Sequence, residues 1–176
     1  METVHLAEFE SPIGPLRILS TSCGIAYLEL PHANGRGLAG WLSRHAPEAK
    51  TVEAFAPNRA AIAQVLEYLE GKRTDFALPL DLRGTPFQRE VWRELLCIPY
   101  GETRSYHEVA RAIGEPLASR AVGGANGANP VALIVPCHRV VASDGLAGYA
   151  GGLVLKRRLL ALERNRAAAS KQGRLL

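Results

Sequence analysis

No stretch of the 176-residue sequence is apolar for the length of a membrane span, and its first residues, Met1-Glu2-Thr3-Val4-His5, lack the basic-then-apolar order of a signal peptide. The expectation is a cytoplasmic protein with no membrane partner. Only three cysteines occur, Cys23, Cys97 and Cys137, far apart and without a CxxC pair. That excludes a disulfide framework and gives no sign of a zinc knuckle. His5, Cys23 and His32 share no regular ligand spacing, so no metal and no cofactor is expected. There is no internal repeat and no low-complexity run apart from an Ala-rich, basic end from Arg164 onward, expected to fray. What remains, 47% hydrophobic and 22% charged residues, is the composition of an ordinary globular protein, with room for one large domain or two small ones.

Charge is unevenly placed. The net charge is +4; residues 1–80 hold 7 Lys+Arg against 9 Asp+Glu, and residues 81–176 hold 14 against 8. A mildly acidic first half joined to a basic second half points to a polyanion partner for the second half alone, although a solvated basic surface gives the same count.

Three short strands are expected at 4–9, 16–19 and 25–30, with turns at Ser11-Pro12-Ile13-Gly14-Pro15 and Ser22-Cys23-Gly24. A breaker-rich loop comes next at 31–37, then a short helix at 38–45 carrying Trp41. Asn58 is placed to cap an amphipathic helix whose face is Ile62, Val65, Leu66 and Leu69, and Gly71 stands where a C′ residue should. Residues 78–84 read as a linker, where the charge balance changes sign. Thr85, Pro86 and Gln88 form a capping box with proline at the first helical position, ahead of a face made by Phe87, Val91, Trp92 and Leu95. Ser105 with Glu108 forms a second box, opening a helix on Tyr106, Val109, Ala110 and Ile113 that Gly114 closes. A further short helix, 118–126, completes a helix-turn-helix pattern. That helix is nearly all small residues with one long basic side chain, Arg120. Its Gly123-Gly124 pair opposes helix propensity and suits close approach by a packing partner or a nucleic acid. The fold class is therefore α+β. A first domain, 1–83, has a three-stranded antiparallel sheet and helix; a second, 84–176, is mainly helical with a winged-helix-like helix-turn-helix.

The chemistry converges on Ile134-Val135-Pro136-Cys137-His138-Arg139-Val140-Val141. The branched residues read as a short buried strand, and Pro136 forces a bend that presents Cys137. A thiol beside an imidazole and a fixed positive charge suits a thiolate, while an isolated Cys-His pair is equally a small buried hydrophobe and its neighbour. Asn129 lies in the preceding turn, able to bond backbone on both sides. The glycine-rich loop 143–152 comes after the stretch, letting backbone N–H groups approach a flat ligand. A last helix is expected at 153–164 with Leu155, Leu159 and Leu162 inward and Glu163 at its end.

Taken in order, Pro86-Phe87-Gln88, Ile98-Pro99-Tyr100-Gly101, Arg120-Ala121-Val122-Gly123-Gly124-Ala125, Asn129-Pro130, Pro136-Cys137-His138-Arg139-Val140, Tyr149-Ala150-Gly151-Gly152-Leu153 and Glu163 resemble the O6-alkylguanine-DNA alkyltransferases. The likeness is close from about Thr85 to Glu163 and looser before, where Ser11-Pro12-Ile13-Gly14 is the main match. It implies single-use repair of duplex DNA containing O6-alkylguanine by a monomer. Cys137 would be the alkyl acceptor, His138 the base acting through a water, Glu163 the carboxylate orienting it, and Asn129 the hinge. Tyr106, Val140, Tyr149, Ala150 and Gly151 would form the guanine pocket. Arg120 would enter the duplex in place of the everted base, with Ser119, Ala121, Gly123 and Gly124 at the minor groove. The pattern departs from some relatives at Ala132 and Ala150 and in a shorter loop after Val141, which would alter pocket width. Thr21 and Ala26 stand where some relatives carry zinc ligands. A damage sensor of similar pattern lacks the acceptor cysteine, and a Cys-His hydrolase would have to turn over.

Overall fold

The structure, a computed structural model, describes residues 1–32 and 36–174. The loop expected at 31–37 therefore lies partly outside the described residues. The chain divides into two compact units, Met1–Gly84 with Pro130–Ile134, and Thr85–Asn129 with Val135–Leu176.

In the first unit, β1 (Thr3–Phe9), β2 (Leu16–Ser20) and β3 (Ile25–Glu29) form an antiparallel meander. Its first turn closes with paired backbone bonds between Ser11 and Gly14, and Gly14 adopts φ 108°, a conformation that disfavours any side chain. β4 (Lys50–Glu53) joins the sheet parallel to β1, giving the order β3-β2-β1-β4. The sequence pattern did not mark β4, because Lys50-Thr51-Val52-Glu53 has one apolar residue and none of the four is buried, as befits a polar edge. α1 (Gly37–His45) lays Leu38 and Trp41 against Val4, Leu19 and Ala26 of the sheet.

α2 (Arg59–Leu69) buries Ile62, Val65 and Leu69, with Leu66 half-buried. It ends as expected, with Gly71 at φ 72° and N–H bonds from Gly71 to Tyr68 O and from Lys72 to Glu67 O. Asn58 does not cap it. Its backbone is αR (φ −98°, ψ −5°) where a capping side chain needs an extended one, and Nδ2 donates instead to His5 O and Ala54 O, each at 3.1 Å.

Residues 78–84 are no free linker. Ile25 N–H donates to Pro79 O and Asp81 N–H to Ile25 O, both at 2.9 Å, so this strap is bonded to β3. Arg83 then binds Glu2, Asp81 and the His45 carbonyl and lies 5.7 Å over the Trp41 ring. Pro130–Ile134 belongs here too: Leu28 N–H donates to Pro130 O at 2.9 Å, and Val131, Leu133 and Ile134 are buried.

In the second unit, α3 (Pro86–Leu95) begins at the expected Thr85–Gln88 capping box and α4 (Tyr106–Ala112) at the Ser105–Glu108 box. α3 buries Val91, Trp92 and Leu95, each worth roughly 1.5–3 kcal/mol, while Phe87 is only half-buried. Trp92 Nε1 donates to Ala125 O at 2.8 Å, fastening α3 to α5 (Ser119–Gly127). α4 and α5 form the helix-turn-helix, with Gly114 at φ 78° ending α4. β5 (Arg104–Ser105) pairs parallel with β6 (Val140–Val141). α6 (Leu153–Gln172) runs past Arg164, so the expected frayed tail is helical to Gln172; residues 175–176 lie outside the described residues. Its buried face is Lys156, Leu159, Leu160 and Glu163. Leu155 and Leu162, expected inward, are half-buried, because the face is rotated by one position to admit a lysine and a glutamate.

Candidate active site

The bend expected at Pro136 is a tight turn, and of the branched residues around it only Val140–Val141 is strand. Pro136 (φ −82°, ψ 63°) has no N–H and breaks extended geometry. Cys137 N–H then bonds Val135 O at 2.8 Å and Arg139 N–H bonds Pro136 O at 3.0 Å, making Cys137–Arg139 a 3₁₀ turn. The end of α5 holds this turn in place. Asn126 Nδ2 donates to Cys137 O at 3.3 Å and Asn129 Nδ2 to Val135 O at 2.8 Å. Cys137 is 5% exposed and the neighbouring His138 is fully buried.

Burial pushes the Cys137 thiol up, opposed by a hydrogen bond from the Asn129 side chain, the positive charge of Lys156, and the Cys137 and His138 backbone N–H groups. Four groups therefore favour the thiolate in a site whose low polarity resists it.

From α6, Glu163 reaches under the turn. His138 Nε2 meets its Oε1 at 2.7 Å, and Arg139 donates from Nε to Oε2 at 2.9 Å and from Nη2 to Oε1 at 2.9 Å. Gly101 N–H adds a bond to Oε2 at 3.2 Å. Burial would raise the Glu163 carboxyl, but the bonds from His138 and Arg139 prevail and hold it down to about 2. An ionised Glu163 can only accept, so His138 Nε2 carries the hydrogen and Nδ1 is its basic nitrogen. Burial lowers the His138 imidazole against the pull of Glu163, keeping it neutral and able to take a proton.

Arg139 is not the fixed charge beside the sulfur that the sequence suggested. Glu163 takes its fork, Ile98 O accepts from Nη1 at 2.7 Å, and its guanidinium lies 5.6 Å over the Tyr100 ring. The positive charge felt at the sulfur comes from Lys156, which sequence reasoning missed. Its signal was the spacing 156, 159, 160, 163, a helical face that an apolar-only pattern skips.

Tyr106, at the first position of α4, is half-buried; burial and the neighbouring Cys137 raise its phenol, so it stays a hydrogen-bond donor. Its ring lies over Gly123, where an added Cβ would sit 3.7 Å from it. The Tyr149 ring stands edge-on to His138 with centroids 6.4 Å apart, and its buried hydroxyl has no hydrogen-bond partner among the described residues. Burial raises this phenol well above its ordinary value. Val140 is buried directly after the turn. Ala150 and Gly151 are half-buried in the loop before Gly152, whose φ of 87° and N–H bond to Tyr149 O close it.

The solvent side of α5 presents Arg120, Ala121 and Gly124, while Val122, Ala125 and Asn126 face inward and Ser119 and Gly123 are half-buried. A Cβ on Gly124 would meet nothing within 4 Å, so no internal packing requires that glycine. Among the described residues no three His, Cys, Asp or Glu side chains converge to hold a metal ion, and no helix is long and apolar enough to cross a membrane.

A buried thiol, a neutral imidazole and an ionised carboxylate in sequence can generate a nucleophile, and a small-residue helix bearing one arginine lies in the same unit. Comparison with known proteins gives this arrangement relatives. Residues 86–165 match the family described as 6-O-methylguanine DNA methyltransferase, DNA binding domain, and residues 4–82 match 6-O-methylguanine DNA methyltransferase, ribonuclease-like domain. The methylated-DNA–protein-cysteine methyltransferase of Mycobacterium tuberculosis is 46% identical over 170 residues, covering 94% of this chain and 96% of that protein. The protein of the same name from Methanosarcina barkeri is 46% identical over 157 residues, covering 89% and 94%. The crystal structure of Mycobacterium tuberculosis OGT in complex with DNA superposes with a TM-score of 0.80 at 44% identity, covering 92% of this chain and 94% of that one.

Proposed function

Since the chain belongs to the 6-O-methylguanine DNA methyltransferase family, we propose that it repairs duplex DNA by moving an alkyl group, methyl above all, from O6 of guanine to Cys137. The observation that carries this reading is the buried thiol backed by the His138–Glu163 pair.

His138 Nδ1 takes the thiol proton through a water, with Glu163 holding the ring in the tautomer that makes this nitrogen basic. The sulfur attacks the alkyl carbon. A C–S bond forms, the C–O6 bond breaks, and its electron pair goes to the guanine, which regains a proton. Guanine leaves poorly unless its developing negative charge meets donors; the Tyr106 hydroxyl and loop N–H groups near Ala150 and Gly151 supply them. Val140 and Tyr149 wall the pocket, and Asn129 fixes the turn that carries the thiol.

O6 of guanine is out of reach in a stacked duplex, so the base must be everted, at a cost of about a few kcal/mol. Arg120 fills the vacated space. Ser119, Ala121, Gly123 and Gly124 let α5 lie close in the minor groove, where reading is by width and charge more than by sequence. The unit of Thr85–Asn129 and Val135–Leu176 thus binds DNA and carries the acceptor, and Met1–Gly84 with Pro130–Ile134 is the supporting unit. The protein works as a cytoplasmic monomer without a cofactor.

The thioether is not reversed, so each molecule acts once. Mixed with an excess of O6-methylguanine duplex, the protein is expected to demethylate one equivalent and stop. Continued turnover, or no demethylation at saturating DNA, would contradict the proposal.

A further inference from the structure

Leu117 has no part in the steps above, yet it is 99% exposed, the barest large apolar side chain among the described residues of the second unit. Leu96 and Leu153 each keep more than half of their surface covered, at 44%. The backbone under Leu117 is well held. Ala118 N–H donates to Glu115 O at 2.9 Å, closing a four-residue turn with Pro116 at its second position, where the ring presets the conformation. Val122 N–H then bonds Ala118 O at 2.8 Å and begins α5. Leu117 takes the third position of this turn, in a motif that ordinarily carries Gly, Asn, Asp or Ser. A leucine there gains nothing from burial within the chain.

The bare leucine extends a face of α5. Arg120, Ala121 and Gly124 follow it by three, four and seven residues, the spacing of one side of a helix, and all three are exposed. A Cβ on Gly124 would meet nothing within 4 Å, so that part of the face is open. The surface is therefore a low floor of alanine and glycine with two long side chains at its start, one apolar and one basic. The minor groove of a duplex is its complement. The groove is only about 6 Å wide, so it admits small residues and single inserted side chains. Its walls are deoxyribose C–H groups, which suit leucine, and its rim is phosphate, which suits arginine.

We propose that Leu117 is a DNA-contacting residue, seated in the minor groove beside Arg120, and that it makes binding depend on the base pair next to the lesion. The proposal rests on the duplex-repair reading and deepens it, by naming a residue that selects sequence context. In the minor groove a G·C pair differs from an A·T pair by the guanine N2 amino group. A leucine over G·C meets the bulk of that amino group and leaves its N–H without a partner. Over A·T the same side chain lies flat on the groove floor. An A·T neighbour on the Leu117 side of the lesion is therefore favoured. The preference comes from shape and desolvation and carries no charge.

The test is equilibrium binding of duplexes carrying one O6-methylguanine, flanked on each side in turn by A·T or G·C. The protein is the full chain with Cys137→Ser, so that binding is read without alkyl transfer, and the comparison is the same chain with Leu117→Ser added. Leu117→Ser is expected to weaken binding about five- to tenfold, with the slope of affinity against salt unchanged. The preference for A·T on one flank, about threefold or more before the change, should disappear with it. Because Leu117 is bare, the thermal midpoint should stay where it was. An unchanged duplex affinity, or a flank preference that survives Leu117→Ser, would overturn the proposal. Loss of self-association with DNA affinity kept would assign Leu117 to a protein contact and overturn it equally. Binding that is normal and indifferent to Leu117 counts against this residue alone, whereas no binding to any duplex before the change counts against the repair reading itself.

Discussion

His138 and Glu163, 25 residues apart in the chain, meet through Nε2 and Oε1 at 2.7 Å with both side chains excluded from solvent. A carboxylate there is tolerated because Arg139 and Gly101 complete its bonding, and it decides which imidazole nitrogen can act as a base. The pair thus ties α6 to the 3₁₀ turn that carries Cys137.

Glu163→Gln is expected to slow alkyl transfer by about 10²–10⁴-fold, since a neutral amide can hold either tautomer of His138. Glu163 also links stability to acid. Its carboxyl sits near 2 in the fold against an ordinary 4.5, so its contribution is full above about 4.5 and is lost as the pH falls toward 2. The amount is about 3 kcal/mol. Thermal unfolding between pH 5 and 2 should fall steeply for the parent and more gently for Glu163→Gln; parallel curves would refute the linkage.

The rate of transfer should not drop where an ordinary histidine titrates, near 6.5. Burial lowers the His138 value, so the imidazole is still neutral at pH 6.5 and protonates only further down. Single-turnover rates should stay level as the pH falls through 6.5 and decline below it. A half-maximal rate at 6.5 or above would contradict a buried neutral base.

Arg120→Ala should weaken repair of duplex DNA about tenfold or more while leaving reaction with a free O6-alkylguanine base within a factor of about two. The exposed position of Arg120 on α5 makes this separation possible. Equal losses on both substrates would remove the intercalating role.

Gly101→Ala should destabilise the second unit by about 1–3 kcal/mol. Gly101 has φ 82°, and a Cβ there would lie 2.9 Å from Ala167 Cβ. The same shift would disturb its N–H bond to Glu163, so transfer should slow as well. Denaturant unfolding with an unchanged midpoint would show the position to be permissive.

Much of this arrangement was legible in the chain. The capping boxes at Thr85 and Ser105, the three antiparallel strands and the glycine stop at Gly71 arise from local rules that tertiary packing had no cause to override. The rest was hidden where polar residues take core positions. On α6 Leu159 is inward as expected, but Leu155 and Leu162 are only half-buried because Lys156 and Glu163 take buried positions that hydrophobic patterning passes over. The branched residues of 134–141 suggest a short buried strand bent at Pro136; the bend is there, as a 3₁₀ turn at Cys137–Arg139, but only Val140–Val141 is strand. Arg139 seemed a charge for the sulfur because its distant partner, Glu163, is 24 residues away. β4 escaped notice as a polar edge, and Asn58 is not the cap its identity suggests, because its backbone conformation cannot be read from its identity.

The central claim is that carbon moves from guanine oxygen to one named sulfur. Peptide mass mapping after incubation with an O6-methylguanine duplex addresses it most directly, with Cys137→Ser as the control. One added methyl on the Cys137 peptide, none on the exposed Cys23 and Cys97, and none anywhere in Cys137→Ser is the expected result. A methyl on another residue, or an unmodified Cys137 after the DNA has been demethylated, would contradict it.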